Sequence, residues 1–427
     1  MRSNMEQMRQ LELYAQLARE WGADVDGLLA GVRQALDWAL LEIRERPVDQ
    51  EALSREPDEY EQILRLRPGT GRRIRVSIRK EVLVDKLEGA LLARFAGCVL
   101  GASVENWSVE RMEQWAALQG DEFPPRDYWK AAYTPEEIRY GVSPLKTYTR
   151  DDMDGVPVDD DITYTLLGLL IAERFGLDFT LEDVACAWMD WLPVACTAED
   201  VALRNLRAGL PAHQAAEQGN PYCQWIGAAI RSDPWAYLAA GWPEKAAQMA
   251  HRDAYLTHRR NGIYGEMYLA AAQAAAFVTD SAQEALQIGL QEIPEDCELA
   301  RAVRWALEIA PALEDWREAR KRVDEKFPGM STVHTINNVC LTIFGLILGG
   351  RDVTKVLGET VAMGMDNDCT AASAGSVVGA LVGRQGIPDQ WIRGFHNQVA
   401  CYLNGFPNFR IDDLVERFMA CGIHGAV

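Results

Sequence analysis

The sequence predicts an all-α protein, a single large helical domain preceded by a helical extension. Three observations carry this. Apolar residues recur at three- and four-residue spacing through most of the chain, the period of an α-helix with one buried face. Alternating polar and apolar runs, which mark half-buried strands, are rare. Two segments, 89–102 and 370–383, are so rich in Gly and Ala that, as helices, they let a neighbour approach closely.

The elements follow in chain order. Residues 4–22 and 25–46 carry Leu, Ala, Val and Trp at helical spacing with charges between them, and Pro47 stops the second helix. Residues 57–80 break the pattern. There Arg65, Arg67, Arg72, Arg73, Arg75, Arg79 and Lys80 surround Pro68-Gly69-Thr70-Gly71. Two readings of this basic stretch stand: a solvated loop that neutralises an acidic body, or an arm that contacts phosphate. The glycine pair is not a dinucleotide fingerprint, because neither a third glycine nor a strand-to-helix context follows. From residue 85 small residues accumulate (Gly89, Ala90, Ala93, Ala96, Gly97, Gly101, Ala102). Further helical patterns cover 163–174, 180–190, 243–255, 262–278, 283–290, 297–309, 335–348, 353–363 and 370–383. The expected division is an extension with a basic loop over 1–84 and an all-α domain over 85–427. No repeat of fixed period is visible.

Composition narrows the function. With 427 residues, 48% hydrophobic and 25% charged, the chain has the make-up of a globular protein and not of a disordered or low-complexity one. A net charge of −20 repels phosphate backbones, so no nucleic-acid partner is expected. The longest apolar stretches, near 166–172 and 339–348, fall short of the roughly 18–20 residues that span a bilayer, so no membrane partner is expected either. The first twelve residues hold no apolar signal core. Nine scattered cysteines without a CxxC pair read as reduced thiols, and the expected compartment is the cytoplasm.

GxxxxGK[ST], HExxH and GxSxG are all absent. Two acid clusters stand out, each just before an apolar helix: Asp159-Asp160-Asp161, and Asp366-Asn367-Asp368 followed by Cys369. Any one aspartate there reads most simply as a helix cap, favoured by free amides and the helix dipole. A cap needs one acid, however, and these clusters carry three and two. The repulsion between them calls for a cation, and hard oxygen ligands suit Mg²⁺, Mn²⁺ or Ca²⁺ better than zinc. Glu105, alone, reads as a surface glutamate.

Taken together, these motifs resemble those of the ADP-ribosylglycohydrolase family, which includes the dinitrogenase reductase-activating type of glycohydrolase. Residues 89–105, GALLARFAGCVLGASVE, are similar to the family's opening glycine-rich helix. Asp159-Asp160-Asp161-Ile162 is similar to its acidic pair with flanking threonines, and Gly364-Met365-Asp366-Asn367-Asp368-Cys369 to its Asp-Thr-Asp-Thr motif. Gly227-Ala228-Ala229-Ile230-Arg231 resembles a loop that touches the ligand's phosphate and ribose, and Leu256-Thr257-His258 a pair that starts an inner helix. The motifs lie in the family's order over roughly residues 85–385.

The resemblance implies an all-α fold with two Mg²⁺ ions, or Mn²⁺ in their place, at the base of a cleft. The implied metal ligands are Asp159, Asp160, Asp161, Asp366, Asp368 (bridging) and Cys369. Glu105 is implied as a ligand or acid/base, with Asp160 and Asp366 sharing the catalytic role. Gly227, Ala228, Arg231, His258 and Trp225 are implied to line the substrate. The reaction is hydrolysis of the bond that joins ADP-ribose to a protein side chain or a small acceptor. Asp159, Ile162, Asn367 and Cys369 depart from the family's threonines. Two further readings stay open, the first given room by these departures and by the aromatic residues Trp225, Trp235, Tyr237, Trp242 and Tyr255, the second by the resemblance itself. One is a hydrolase of a small ribosylated metabolite or nucleoside-like compound. The other is a relative that binds ADP-ribose or metal without turnover. His334 is read either as a packed core residue or as a lining of the adenosine side.

Overall fold

The computed structural model describes residues 4–69 and 73–423. Thr70, Gly71 and Arg72 of the basic stretch lie outside them. The chain forms two compact units, 1–54 and 55–427. The first holds α1 (Asn4–Glu20) and α2 (Asp26–Arg44), and α3 (Gln50–Arg55) ends at the division. The division falls before the expected 84/85 position for a visible reason. Residues 56–63 belong to the core of the second unit: Ile63 is fully buried, the Tyr264 hydroxyl donates to the Pro57 carbonyl at 2.5 Å, and Asn261 Nδ2 donates to Glu56 at 3.0 Å.

The second unit is helical nearly throughout. It runs through α4 (Tyr60–Leu66), α5 (Lys80–Ala102), α6 (Val109–Gln119), α7 (Asp160–Phe175), α8 (Leu181–Trp191), α9 (Thr197–Arg207), α10 (Ser232–Leu238) and α11 (Pro243–Ala254). It continues through α12 (Asn261–Ala276), α13 (Ala282–Gly289), α14 (Glu298–Ile309), α15 (Trp316–Lys326), α16 (Thr335–Gly349), α17 (Val353–Ala362), α18 (Asn367–Val382) and α19 (Ile411–Cys421). Strand among the described residues is confined to two antiparallel hairpins, β1 (Ile138–Arg139) with β2 (Ser143–Pro144) and β3 (Gln398–Leu403) with β4 (Phe406–Arg410). The all-α expectation holds. The sequence pattern did not mark α3, α4, α6, α9, α10, α15 and α19, and α4 lies within 57–80, where the pattern was expected to break. α15, WREARKRVDEK, buries only Trp316, Ala319 and Val323, too few apolar positions to show a period.

Four helices, α5, α12, α16 and α18, form the interior and are buried almost all round. Such helices need small or apolar residues on every face, which explains their Gly and Ala content. α5 and α18 cross at backbone contact along their length. A Cβ on Gly89 would stand 2.5 Å from the Gly383 carbonyl carbon, and one on Gly97, Gly101 or Gly375 would overlap the backbone of Ala371, Asp368 or Ala93. The rungs recur about every fourth residue on each helix, so only the smallest residues fit along one stripe of each. This places the N-terminus of α18 beside the C-terminus of α5.

Helix ends are closed by side chains. Ser108 caps α6 by accepting from the Arg111 amide at 3.2 Å, and Thr180 and Asp183 cap α8 reciprocally. The basic stretch turns inward: Arg67 pairs with Glu244 at 3.1 Å and with Glu292, and Arg75 lies 4.0 Å over the Trp242 ring. All nine cysteines are free thiols, and among the described residues no helix is long and apolar enough to cross a membrane.

Candidate functional site

The two acid clusters, distant in sequence, meet. Asp160 and Asp161 open α7, and Asp368 stands in the first turn of α18 with Asp366 just before it. Glu105 follows the end of α5. One carboxylate oxygen from each of Glu105, Asp366 and Asp368 lies within 4.8 Å of the others, and the same holds for Asp161, Asp368 and the Cys369 thiol, and for Cys98, Asp159 and Asp161. Asp159, Asp161 and Asp368 are fully buried or nearly so, and Asp366 is buried. Asp160 keeps part of its surface on the cavity. The backbone is forced at these points: Asn106, Tyr140, Thr197 and Met365 all take positive φ (58°, 50°, 44° and 63°), which costs a non-glycine residue free energy. The Asn106 amide donates to the Met365 carbonyl at 3.0 Å and joins the two strained segments.

Electrostatics follow from burial. It pushes the carboxyls of Asp160, Asp161, Asp366 and Asp368 up. Asp159 adds to the rise at Asp160, and Glu105 to those at Asp366 and Asp368, while Arg94 pulls Asp161 back down. Burial likewise raises the Cys369 thiol.

Two arginines that sequence reasoning passed over hold the cluster together. Arg94, in the middle of α5 and fully buried, pairs with Asp233 at 2.6 Å. Its other donors reach Thr165 Oγ1 (2.8 Å), the Asp161 carbonyl (2.8 Å) and the Ile230 carbonyl (2.6 Å). It therefore ties the start of α7 to α5. Arg139, in the β1–β2 hairpin, donates to Asp159 Oδ2 (2.9 Å), Glu105 Oε2 (2.7 Å), Asp368 Oδ2 (2.8 Å) and the Ala102 carbonyl (3.2 Å). Asp159 also caps α7, accepting from the Asp161 amide at 3.1 Å.

Glu105, Asp160, Asp366, Asp368 and Cys369 line one side of a cavity of about 260 Å³, with Asp159 and Asp161 outside its lining. Tyr140, Tyr164 and Trp225 supply aromatic wall, and Cys196, Glu199 and Gly227 complete it. Trp225 is fixed through its carbonyl, which accepts from Thr335 Oγ1 at 2.7 Å. Gly227 lies against the Glu199 carboxylate, and a Cβ there would overlap it. Ala228 is fully buried behind Gly227.

Arg231 and His258, expected along the substrate, lie beneath the wall. The Arg231 guanidinium bonds Glu199 and Asp253 (2.5 Å each), Thr257 Oγ1 (2.9 Å) and the Gly227 carbonyl (3.1 Å). His258 is fully buried, with Nδ1 2.7 Å from Thr257 Oγ1, and burial, then Arg231, drives its basicity down, so it is neutral. Both sit behind Glu199, which the sequence hid as an ordinary acid in the first turn of α9. His334 caps α16 by accepting from the Ile336 amide at 3.2 Å.

The model of the ADP-ribosylglycohydrolase family matches residues 79–422. The chain belongs to the ADP-ribosylglycohydrolase family. Among solved structures, an ADP-ribosylglycohydrolase-related protein complex aligns with 20% identity and a TM-score of 0.50 over 80% of this chain and 100% of that one, a likeness of fold. Comparison with curated proteins gives no match.

In this ADP-ribosylglycohydrolase-family chain the residues fit a divalent cation. Asp161 Oδ2, Asp366 Oδ1 and Asp368 Oδ1 are buried oxygens that no donor reaches. Buried carboxylate oxygens without a partner are costly, and a hard cation satisfies them. The family's glycohydrolase chemistry thus meets a donor set suited to it.

Proposed function

We propose that this chain is a divalent-cation-dependent hydrolase of a ribosyl glycosidic bond, acting on an ADP-ribosyl group attached to a protein side chain or a small acceptor. The observation that carries the reading is the set of unpartnered oxygens on Asp161, Asp366 and Asp368, the last two lining an aromatic-walled cavity and Asp161 buried beside Asp368. Those three residues, with Asp160 at the cavity edge, are the ones that would hold Mg²⁺ or Mn²⁺. Such a cation supplies positive charge that polarises ribose oxygens and makes water more acidic.

The chain's own groups do the rest. Glu105, a third exposed and held by Arg139 and by Asn106 Nδ2 at 3.3 Å, faces the cavity where a proton must pass to the leaving atom or from water. Trp225, Tyr140 and Tyr164 offer flat faces to a sugar or base and exclude water from one side. Gly227 keeps the wall open beside Glu199. Arg231 and His258 act through that wall, holding Glu199 and the Thr257 turn in place.

A second reading is favoured by one observation. The cavity, about 260 Å³, is smaller than the ~300–1,000 Å³ usual for sites that enclose a larger ligand. It suits a ribosyl group with little attached, so a small ribosylated metabolite or nucleoside-like compound is the alternative substrate. Nine free thiols favour a reducing compartment, the cytoplasm.

A panel of ADP-ribosylated arginine, ADP-ribosylated serine and small free ribosides, each with Mg²⁺, Mn²⁺ or chelator, tests both. Ion-dependent release of ADP-ribose supports the first reading, and turnover of the small ribosides alone supports the second. No hydrolysis of any substrate with either ion overturns both and leaves a binding protein without turnover.

A further inference from the structure

The acid cluster is divided into two halves. In one half a cation is already in place, facing one oxygen of each of three carboxylates. The Arg139 guanidinium stands between three carboxylates, with Nε to Asp159, one Nη to Glu105 and the other Nη to Asp368 at 2.7–2.9 Å, and a fourth donor on the Ala102 carbonyl. In the other half three oxygens have no donor, Asp161 Oδ2, Asp366 Oδ1 and Asp368 Oδ1, all buried, while Arg94 reaches only the other Asp161 oxygen, Oδ1, at 3.4 Å. Asp368 belongs to both, offering Oδ2 to Arg139 and Oδ1 to no donor.

We propose that Arg139 permanently fills one cation position of this site, so that the chain takes up a single divalent ion, on Asp161, Asp366 and Asp368, and not two. This rests on the reading of the cluster as a divalent-cation site given above.

Three arguments support it. A guanidinium and a metal ion compete for the same lone pairs, and a second ion bound through Asp159, Glu105 and Asp368 Oδ2 would have to displace four hydrogen bonds at once. The guanidinium is also not free to swing away. Its side chain is only 16% exposed, and its backbone sits in the tight β1–β2 hairpin, next to Tyr140 at φ 50°. The Tyr140 ring lies 5.3 Å from the guanidinium carbon and stacks on Tyr402 at 5.1 Å. Finally, an arginine cannot lose its proton, so this positive charge is constant at any working pH, whereas an ion exchanges with solvent. Asp159 completes the device: it supplies the Nε partner and at the same time caps α7, so one carboxylate ties the guanidinium to the helix start.

The test counts ions in the full-length protein. Equilibrium dialysis with Mn²⁺ should give one ion per chain at saturation, and the electron paramagnetic spectrum should show isolated Mn²⁺ without coupling between two ions. Arg139→Gln removes the guanidinium and keeps a polar side chain. It should bind two ions per chain and show the coupled signal, with circular dichroism checking that it folds. Two ions on the wild-type chain would overturn the proposal and leave the cation reading standing, whether or not the variant folds. One ion on wild type and still one on a folded Arg139→Gln would also overturn it, because Arg139 would then not be what excludes the second. No Mn²⁺ on either protein would overturn the cation reading itself and this inference with it.

Discussion

Gly101 lies so close to Asp368 that a Cβ on the glycine would overlap the aspartate's Cα and amide nitrogen. The last turn of α5 is thus the surface against which a candidate ligand is positioned. The glycine is needed for its missing side chain and not for an unusual backbone angle.

Gly101→Ala should therefore act at a distance of one contact. Overpacking of this kind costs ~1–3 kcal/mol, visible as a lowered thermal midpoint. The displaced Asp368 should also weaken Mn²⁺ binding in dialysis. Wild-type stability and affinity in this variant would show that α5 and α18 can part without consequence.

Removing the acids separates ligands from caps. Asp160→Asn, Asp366→Asn and Asp368→Asn should each abolish turnover without lowering the thermal midpoint, since each relieves repulsion in a crowded cluster. Asp368→Asn should also bind Mg²⁺ more weakly by calorimetry. Asp154, an exposed residue that pairs with His396 at 2.8 Å, is the control, and Asp154→Asn should be near neutral. Unchanged metal binding in Asp368→Asn would reduce these acids to helix caps.

Arg94 is a stability element. Arg94→Met leaves Asp233 buried without its ion pair and the Asp161 and Ile230 carbonyls without their donor, and should cost ~3–5 kcal/mol in denaturant unfolding. Adding Asp233→Asn should recover part of that loss, because the stranded charge is gone. If the double variant is no more stable than the single, the charge pair is not the source.

Gly227→Ala drives a methyl group into the Glu199 carboxylate. Turnover should fall at least ~10-fold, about 1.4 kcal/mol of transition-state stabilisation. Trimming the wall with Glu199→Ala in the same chain should restore stability but not activity. Full activity in Gly227→Ala would remove Glu199 and Arg231 from the site's support.

Stability should fall in acid through His251. Burial lowers its imidazole to about 4, against an ordinary 6.5. It packs on Tyr60 at 5.0 Å, and Nε2 lies 2.8 Å from the Asp58 carbonyl. Between those two values the unfolded chain binds the proton and the folded one does not, so stability is complete above pH 6.5 and is lost as pH drops toward 4. The loss from this one group is roughly 3 kcal/mol. His251→Phe should flatten that part of the profile in unfolding experiments at several pH values, and an unchanged slope would assign the effect elsewhere.

The helices were legible where burial imposes a period or a size limit. The Gly and Ala of 89–102 and 370–383 announced close packing, and the two acid clusters announced a meeting point. Arg139 was not legible. It sits on a hairpin of two-residue strands with no period to read, and nothing in the pattern connects it to Asp159, 20 residues on, or to Asp368, 229 residues on. Glu199 was hidden for the opposite reason: an acid in a first helical turn already has an ordinary explanation. Arg231 and His258 were found as residues, but their depth was not, because burial depends on which helices cover them.

The ladder of contacts between α5 and α18 has a consequence for how this chain can vary. Gly89, Gly97, Gly101, Gly375 and Gly379 each lie against backbone of the opposite helix, so neither helix has slack to absorb an added methyl group. A larger residue on one side cannot be offset by a smaller one opposite, since what it meets is main chain. The two stripes are therefore frozen together. A drift of either helix along its axis by one turn, about 5.4 Å, would carry Asp366 and Asp368 out of reach of Asp161. Sequence change in this protein is free to accumulate on the outer helices, while the inner pair works as a fixed gauge for the distance between its carboxylates.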